Sequence, residues 1–390
     1  MNVTLRGRSR HFRTVTFEAA RNSVRLIEQR RLPHEFKIVA TRDFRETAAA
    51  IRQMVVRGAG AIGATAAYGL AQGARAFRGD NLNKFSAHVE TVFQTLKSAR
   101  PTAVDPVNAM NEVRSDMARG QTVVDQQALA LAAAEEFANQ DVRQCEAIGR
   151  HGEKLIRSGA RILTHCNAGW LAFVDIGTAT APMYAAQAAG KKIHVWCDET
   201  RPRSQGATLT AWELAQQKIP HQIIADNAAG HLMQRGKIDL IIVGSDRTLG
   251  RTGEVANKIG TYTKAVLAAR HRIPFYVAIP LSTIDWNLKS GFDIPIEERA
   301  ESEVLGAWGV PEGREKRERG RTPGGRRKSL EPVYVRVANS TSGACNPGFD
   351  VTPPGLITAI ITPLGIIKPR ELWERRHELG FRRNRYNIKG

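Results

Sequence analysis

Cysteine is scarce in this 390-residue chain: Cys145, Cys166, Cys197 and Cys345 are far apart and form no C-x-x-C pair. That argues against a disulfide framework and a zinc site, and leaves reduced thiols of which one can be reactive. No apolar run approaches the roughly 18 residues a membrane-spanning helix needs. The stretch Met1 to Arg6 lacks the apolar core of a signal peptide, so a cytoplasmic location is expected. There is no G-x-S-x-G elbow and no P-loop, which weakens hydrolase and kinase readings. Aromatic residues are only 6% of the chain, and none interleave with its basic stretches as RNA-recognition surfaces require.

What the chain has in excess is positive charge, +19 at neutral pH. Residues 1–37 carry +6, residues 312–328 carry +5 and residues 368–390 carry +5. The basicity therefore sits on the ends and on one internal segment, and nucleic acid is not the expected partner despite the total. Hydrophobic residues reach 42%, enough for a substantial core. The length suggests about two domains.

The fold class read from the pattern is α/β. Helical spacing marks 46–56, 64–77, 82–98 and much of 106–158, so residues 1–140 are expected to form a smaller, mostly helical domain with short strands near its start. After Gly159 short apolar runs at 161–165, 192–197, 221–225, 238–243 and 274–279 alternate with helical stretches at 177–189, 207–217, 227–235 and 255–271. That rhythm predicts a mainly parallel sheet covered by helices over residues 141–370, with ligands bound beyond the carboxyl ends of its strands. Residues 307–330 are rich in Gly, Pro, Arg and Lys and read as a mobile basic insert, a strand resumes at 333–337, and 371–390 reads as a basic tail.

Gly58-Ala59-Gly60-Ala61-Ile62-Gly63 matches G-x-G-x-x-G, but a helix-like segment precedes it where a dinucleotide fingerprint needs a strand. The same turn, with Arg57, could present backbone N–H groups and a guanidinium to a phosphate, or be a tight helix–helix turn. Four segments follow strand ends: Thr164 to Gly169 with Cys166 ahead of a predicted helix, Asp198 to Pro202 with Gln205, Val243 to Arg247 with Asp246, and Asn257 to Thr261 opening a helix with Lys258. Each alone could be capping or core. Together, on one edge of one sheet, a thiol and a carboxylate can divide proton-transfer work, and Arg57, Arg100, Gln205 and Lys258 can hold a phosphate. No His/Cys/Asp group has metal-ligand spacing, and no cofactor is expected.

These segments carry a resemblance. T-H-C-N-A-G at Thr164, D-E-T-R-P at Asp198 followed by Q-G-A at Gln205, T-A-W-E-L at Thr210, D-N-x-A-G at Asp226, G-x-D-R at Gly244 and N-K-I-G-T-Y at Asn257 occur in order, with P-L-S-T-I-D at Pro280 and I-P-I-E-E-R at Ile294. R-G-A-x-A-I-G at Arg57, R-P-T-A at Arg100 and N-P-x-F-D-V-T-P at Asn346 join them. The chain thereby resembles the methylthioribose-1-phosphate isomerase family, which groups with the regulatory subunits of translation initiation factor 2B and with ribose-1,5-bisphosphate isomerase. The resemblance implies a Rossmann-like C-terminal domain, a homodimer, and an aldose–ketose isomerase of methionine salvage acting on 5-methylthioribose 1-phosphate. It implies Asp246 as proton donor, Cys166 as its catalytic partner, and Arg57, Gly58, Ala59, Arg100, Gln205, Asn257 and Lys258 as substrate-binding residues. Trp170 and Phe173 would wall an apolar pocket or belong to the core. Gly60 where the family usually has Pro, Ser245 where Ala is common, and the basic insert depart from the pattern. They leave open a related pentose 1-phosphate, such as 5-deoxyribose 1-phosphate or ribose 1,5-bisphosphate, or a non-catalytic translation-factor-like role.

Overall fold

The computed structural model describes residues 1–5, 7–100, 105–311 and 332–381. Most of the basic insert, and the end of the tail from residue 382, lie outside the described residues, as does the P-T-A of the R-P-T-A motif.

The N-terminal half is built around one helix, Ala59–Ala76, whose residues from Gly60 to Ala74 are all buried. A helix apolar on every side belongs in an interior, and this one is packed by Phe44–Arg52, Leu82–Lys97, Asp105–Met117 and Val123–Glu153. Local chemistry starts these helices. Asp43 caps the first by accepting from Arg45 N (2.8 Å) and Glu46 N (2.9 Å), and Thr122 with Asp125 forms a reciprocal capping box on the last. The helix predicted over 64–77 begins five residues earlier, at Ala59, so the glycines of Gly58–Gly63 lie mostly inside it. The first 41 residues are more β than expected, forming five short strands in a hairpin and a three-stranded antiparallel sheet.

Residue 140 falls within Val123–Glu153, which runs on unbroken and packs against both the N-terminal helices and Ala181–Ala188. Beyond it lies a seven-stranded sheet in the spatial order Gly365–Ile367, Ala359–Thr362, Phe275–Ala278, Leu240–Val243, Arg161–Thr164, His194–Asp198, His221–Ile224. All neighbours are parallel except the first pair. Its middle strands are apolar on both faces: Ile241 and Val243 join one core cluster, Leu240 and Ile242 the other. The mainly parallel α/β expectation holds, and five of the seven strands coincide with the apolar runs. The two at 359–367 were not read from the sequence.

A second, four-stranded sheet rides on the carboxyl edge of the first, in the order Ile284–Asp285, Arg247–Leu249, Val255–Lys258, Phe349–Thr352. It corrects the sequence reading at 255–258, expected to open a helix. Those residues pair antiparallel with Phe349–Thr352, and the helix starts only at Thr261. Val333–Arg336 is a strand as expected, but it pairs with Gly306–Gly309 in a separate hairpin. Among the described residues no helix is long and apolar enough to cross a membrane.

Candidate active site

The sheet dictates where a ligand can sit. Chain order is continuous outward from Arg161–Thr164 on one side and from Leu240–Val243 on the other, so the topological switch point lies between these two neighbours. Crevices beyond the carboxyl ends of strands at such a point are the usual binding sites of this architecture. Cys166 leaves the first of these strands and Asp246 the second, and Thr164 Oγ1 donates to Ile242 O (2.8 Å), pinning the two tips together.

A cavity of about 110 Å³ opens there. It is lined by Cys166 and Asp246 and by all seven other residues singled out in the sequence: Arg57, Gly58, Ala59, Arg100, Gln205, Asn257 and Lys258. Cys166 is half-buried and held in a left-handed conformation at φ 67°. Its N–H donates to Thr200 Oγ1 (2.8 Å) and its carbonyl accepts from Thr210 Oγ1 (2.7 Å). The thiol is not at a helix N-terminus, as the motif suggested, because the next α-helix begins only at Ala181. Its electropositive setting comes from side chains instead, with Arg57 and Lys258 lining the same cavity.

The turn Arg57-Gly58 is clamped to the Cys166 loop. Arg57 Nη1 donates to Asn167 Oδ1 (3.0 Å) and Nη2 to Asn167 O (2.7 Å). Gly58 has φ 90°, and a Cβ there would lie 2.4 Å from Ala172 Cα, so the glycine is demanded by both backbone and neighbour. Glu213 fixes the far side of the loop, accepting from Asn167 Nδ2 (2.8 Å), Trp170 N (2.9 Å), Leu171 N (3.0 Å) and Tyr184 OH (3.0 Å). Trp170 is core, stacked on Trp212, whereas Phe173 reaches the cavity wall.

Lys258, at the end of its strand, donates to Gly348 O (2.8 Å) and lies 4.8 Å over the Phe349 ring. Asn257 Nδ2 donates to Thr261 Oγ1 (3.0 Å). Gln205 is buried, and its Oε1 has no hydrogen-bond partner among the described residues. Asp246 is exposed to the cavity, yet the surrounding walls take it out of bulk water. That enclosure pushes its carboxyl above the ordinary range, against the pull of Arg100, Arg247 and Lys258. The same enclosure lowers Arg57 and Lys258.

Several lining residues were not singled out as site residues: Glu297, Arg299 and Phe349 stand inside the I-P-I-E-E-R and N-P-x-F-D-V-T-P motifs and Met54 and Arg203 beside others, but only the fold brings them to the cavity. A smaller cavity of about 70 Å³ adjoins, sharing Gly58, Ala59, Arg100 and Asp246 and adding Asp105 and Arg247. Sequence spacing also hid the grouping of His165, Asp198 and Asp226, whose ligand-type atoms lie within 4.8 Å of one another. That grouping is already tied into a network, with only Asp198 Oδ1 of its ligand-type atoms buried and unpartnered among the described residues. Asp198 Oδ2 pairs with Lys264 Nζ (3.1 Å) and His165 Nδ1 (2.8 Å), and His165 Nε2 faces Ile259 O (2.8 Å). A fixed ammonium at that carboxylate opposes a metal cation, and the His165 ring instead ties the Cys166 loop to the segment bearing Lys258.

Residues 55–369 match the model of the initiation factor 2 subunit family. The chain is 47% identical over 357 residues to the methylthioribose-1-phosphate isomerase of Methylocella silvestris, covering 89% of this chain and 91% of that one. It is 46% identical over 358 residues to the protein of the same name from Desulfatibacillum aliphaticivorans, covering 90% and 92%. Among solved structures it resembles 5-methylthioribose 1-phosphate isomerase from Pyrococcus horikoshii OT3, with TM-score 0.80, 38% identity and coverage of 95% and 96%. It also resembles the delta subunit of a translation initiation factor 2B from A. fulgidus, with TM-score 0.78, 36% identity and coverage of 95% and 100%. The chain belongs to the initiation factor 2 subunit family, on the branch whose curated relatives are named methylthioribose-1-phosphate isomerase.

Proposed function

We propose that this chain is an aldose–ketose isomerase of methionine salvage, converting 5-methylthio-D-ribose 1-phosphate to 5-methylthio-D-ribulose 1-phosphate. The observation that carries the reading is the convergence of Cys166 and Asp246 on one cavity at the switch point, with Arg57, Arg100 and Lys258 in its wall. The substrate explains why both groups are needed. Its anomeric carbon bears the phosphate, so no free aldehyde exists and the ring must open before C1 and C2 exchange oxidation level.

In the proposed course Asp246 donates its proton to the ring oxygen as the bond from that oxygen to C1 breaks. A raised carboxyl pKa is what a general acid near neutrality requires. The hydrogen on C2 then moves with its electron pair to C1 and the C2 hydroxyl passes its proton to the Asp246 carboxylate left by the first step, which leaves a ketone at C2, the phosphate still on C1 and the acid restored. Cys166 acts at C1–C2. Arg57, Arg100, Lys258 and the backbone at Gly58 and Ala59 hold the phosphate, while the unpartnered Gln205 Oε1 and the Asn257 amide meet sugar hydroxyls. A homodimer, a two-domain division near residue 140 and a cytoplasmic setting belong to the same proposal.

The resemblance to the A. fulgidus delta subunit raises a non-catalytic reading. A scaffold has no need for a thiol and a carboxyl facing one enclosed cavity, and this favours the enzyme. The test is incubation of the purified protein with 5-methylthioribose 1-phosphate, following ketose formation by NMR. Steady accumulation of the ribulose product is expected. A protein that binds the sugar phosphate and forms no ketose would end the isomerase reading.

A further inference from the structure

Five basic side chains line the cavity: Arg57, Arg100, Lys258, Arg203 and Arg299. They are not electrically equivalent. Among the described residues, Arg57 donates only to the amide oxygen and carbonyl of Asn167, Lys258 only to the Gly348 carbonyl, and Arg100 has no ion pair. Arg203 and Arg299 are neutralised. Glu303 takes Arg299 in a two-pronged bond, Nη2 to Oε1 at 2.7 Å and Nε to Oε2 at 2.9 Å, and accepts from Arg203 Nη1 at 2.8 Å. Glu297 accepts from Arg299 Nη1 at 3.0 Å. These pairs are built in rather than incidental. The side chains of Arg299 and Glu303 are each 11% exposed, and Asn346 Nδ2 donates to Glu303 Oε2 at 3.2 Å. Arg299 Nη2 also lies 3.8 Å from Met54 Sδ, so the neutralised guanidinium and a thioether share one stretch of wall.

Resting on the isomerase reading, we propose that Glu303, seconded by Glu297, is a specificity-determining residue that restricts this cavity to sugars bearing one phosphate. A phosphate dianion is matched by the three uncompensated cations. A second phosphate in the same cavity would find, beyond those three, only Arg299, whose fork is already occupied by Glu303 and Glu297, and Arg203, held through Nη1 by Glu303, and it would face Glu297 in the wall itself. Its desolvation would go unanswered, the standard means of rejecting a ligand with one charged group too many. Glu303 does not line the cavity and acts through Arg203 and Arg299, so it is a positioning residue.

The experiment compares 5-methylthioribose 1-phosphate with ribose 1,5-bisphosphate, for binding by calorimetry and for ketose formation, on the wild type and on Glu303→Gln. The amide keeps the shape and removes the carboxylate charge that Arg203 and Arg299 share, leaving Arg203 unpaired and Arg299 with Glu297 alone. Expected is a wild-type preference for the monophosphate, and a shift of the binding ratio toward the bisphosphate by roughly tenfold or more in Glu303→Gln. A purely structural role would weaken both ligands together and leave the ratio in place. If Glu303→Gln folds poorly, Arg299→Met in the wild-type background tests the converse. It removes a neutralised cation and should leave the ratio within about twofold, whereas a site that uses Arg299 for a second phosphate would lose the bisphosphate selectively. Equal binding of both ligands by the wild type, or an unchanged ratio in a folded Glu303→Gln, overturns the proposal. Failure of the wild type to form ketose from either sugar overturns the isomerase reading instead, and the binding ratio still reports on Glu303.

Discussion

At the scale of single residues, buried carboxyls supply a test that does not depend on substrate. Asp141 is buried beside the Phe173 loop and accepts from Val174 N (2.8 Å). Burial, aided by Asp105 and Asp175, raises its carboxyl to about 7. A carboxyl raised on folding contributes stability that is complete below its unfolded value near 3.8 and is lost as pH rises through about 7. Asp141→Asn keeps an acceptor for Val174 N and has no proton to lose. Thermal unfolding should show the wild type losing stability between about pH 4 and pH 7 and the variant losing less, with the variant the more stable above pH 7; parallel slopes would mean that Asp141 does not titrate with folding. Asp105, also raised to about 7, adds the same sign of dependence to both proteins. Gly58 gives a second test. Alanine there needs φ 90° and a Cβ 2.4 Å from Ala172, so Gly58→Ala should cost on the order of 3 kcal/mol or more by urea unfolding. A cost within noise would mean the turn is not fixed as described. Residue chemistry was legible where a reactive side chain stood in an ordered motif, as with Cys166 and Asp246. It was not legible for Met54, which lies outside every quoted motif, and for Arg299 the I-P-I-E-E-R motif marked the segment without saying that its guanidinium reaches the cavity.

At the scale of elements, the loop from Asn167 to Leu171 shows how a binding surface is held by a group that never meets the ligand. Glu213, in the short helix Ala211–Gln216, satisfies two backbone N–H groups, an amide and a phenol at once. Gly169 is forced to be glycine because a Cβ there would lie 2.0 Å from Glu213 Oε2. Removing the carboxylate in Glu213→Ala leaves those buried donors unpaired, at about 3 kcal/mol or more. Because Asn167 also grips Arg57, the same variant should raise KM more than it lowers kcat. Unaltered kinetics together with lost stability would confine Glu213 to the core. Sequence pattern located the middle strands of the large sheet because they are continuous apolar runs. It failed at Val255–Lys258, four residues too short for a period to declare itself. It also failed in the first strands, since Arg8–His11 is exposed throughout and shows no alternation.

At the scale of the molecule, the order of strands is what turns two distant sequence positions into one site. Cys166 and Asp246 meet because Leu240–Val243 inserts beside Arg161–Thr164 in the sheet, and the small second sheet then brings Lys258 over the same crevice. The parallel α/β class and the edge that carries function could be read from the chain. The small sheet, the β-rich start and the helix continuing through residue 140 could not, because they depend on pairings between remote segments. The central claim is that thiol and carboxyl act on one sugar in one place. The most direct measurement is single-turnover ketose formation from 5-methylthioribose 1-phosphate by wild type, Cys166→Ser and Asp246→Asn, with substrate binding measured alongside. Each variant should bind the sugar phosphate with near wild-type affinity and lose at least about 10²-fold in the chemical step. Near wild-type turnover by either variant would contradict that claim.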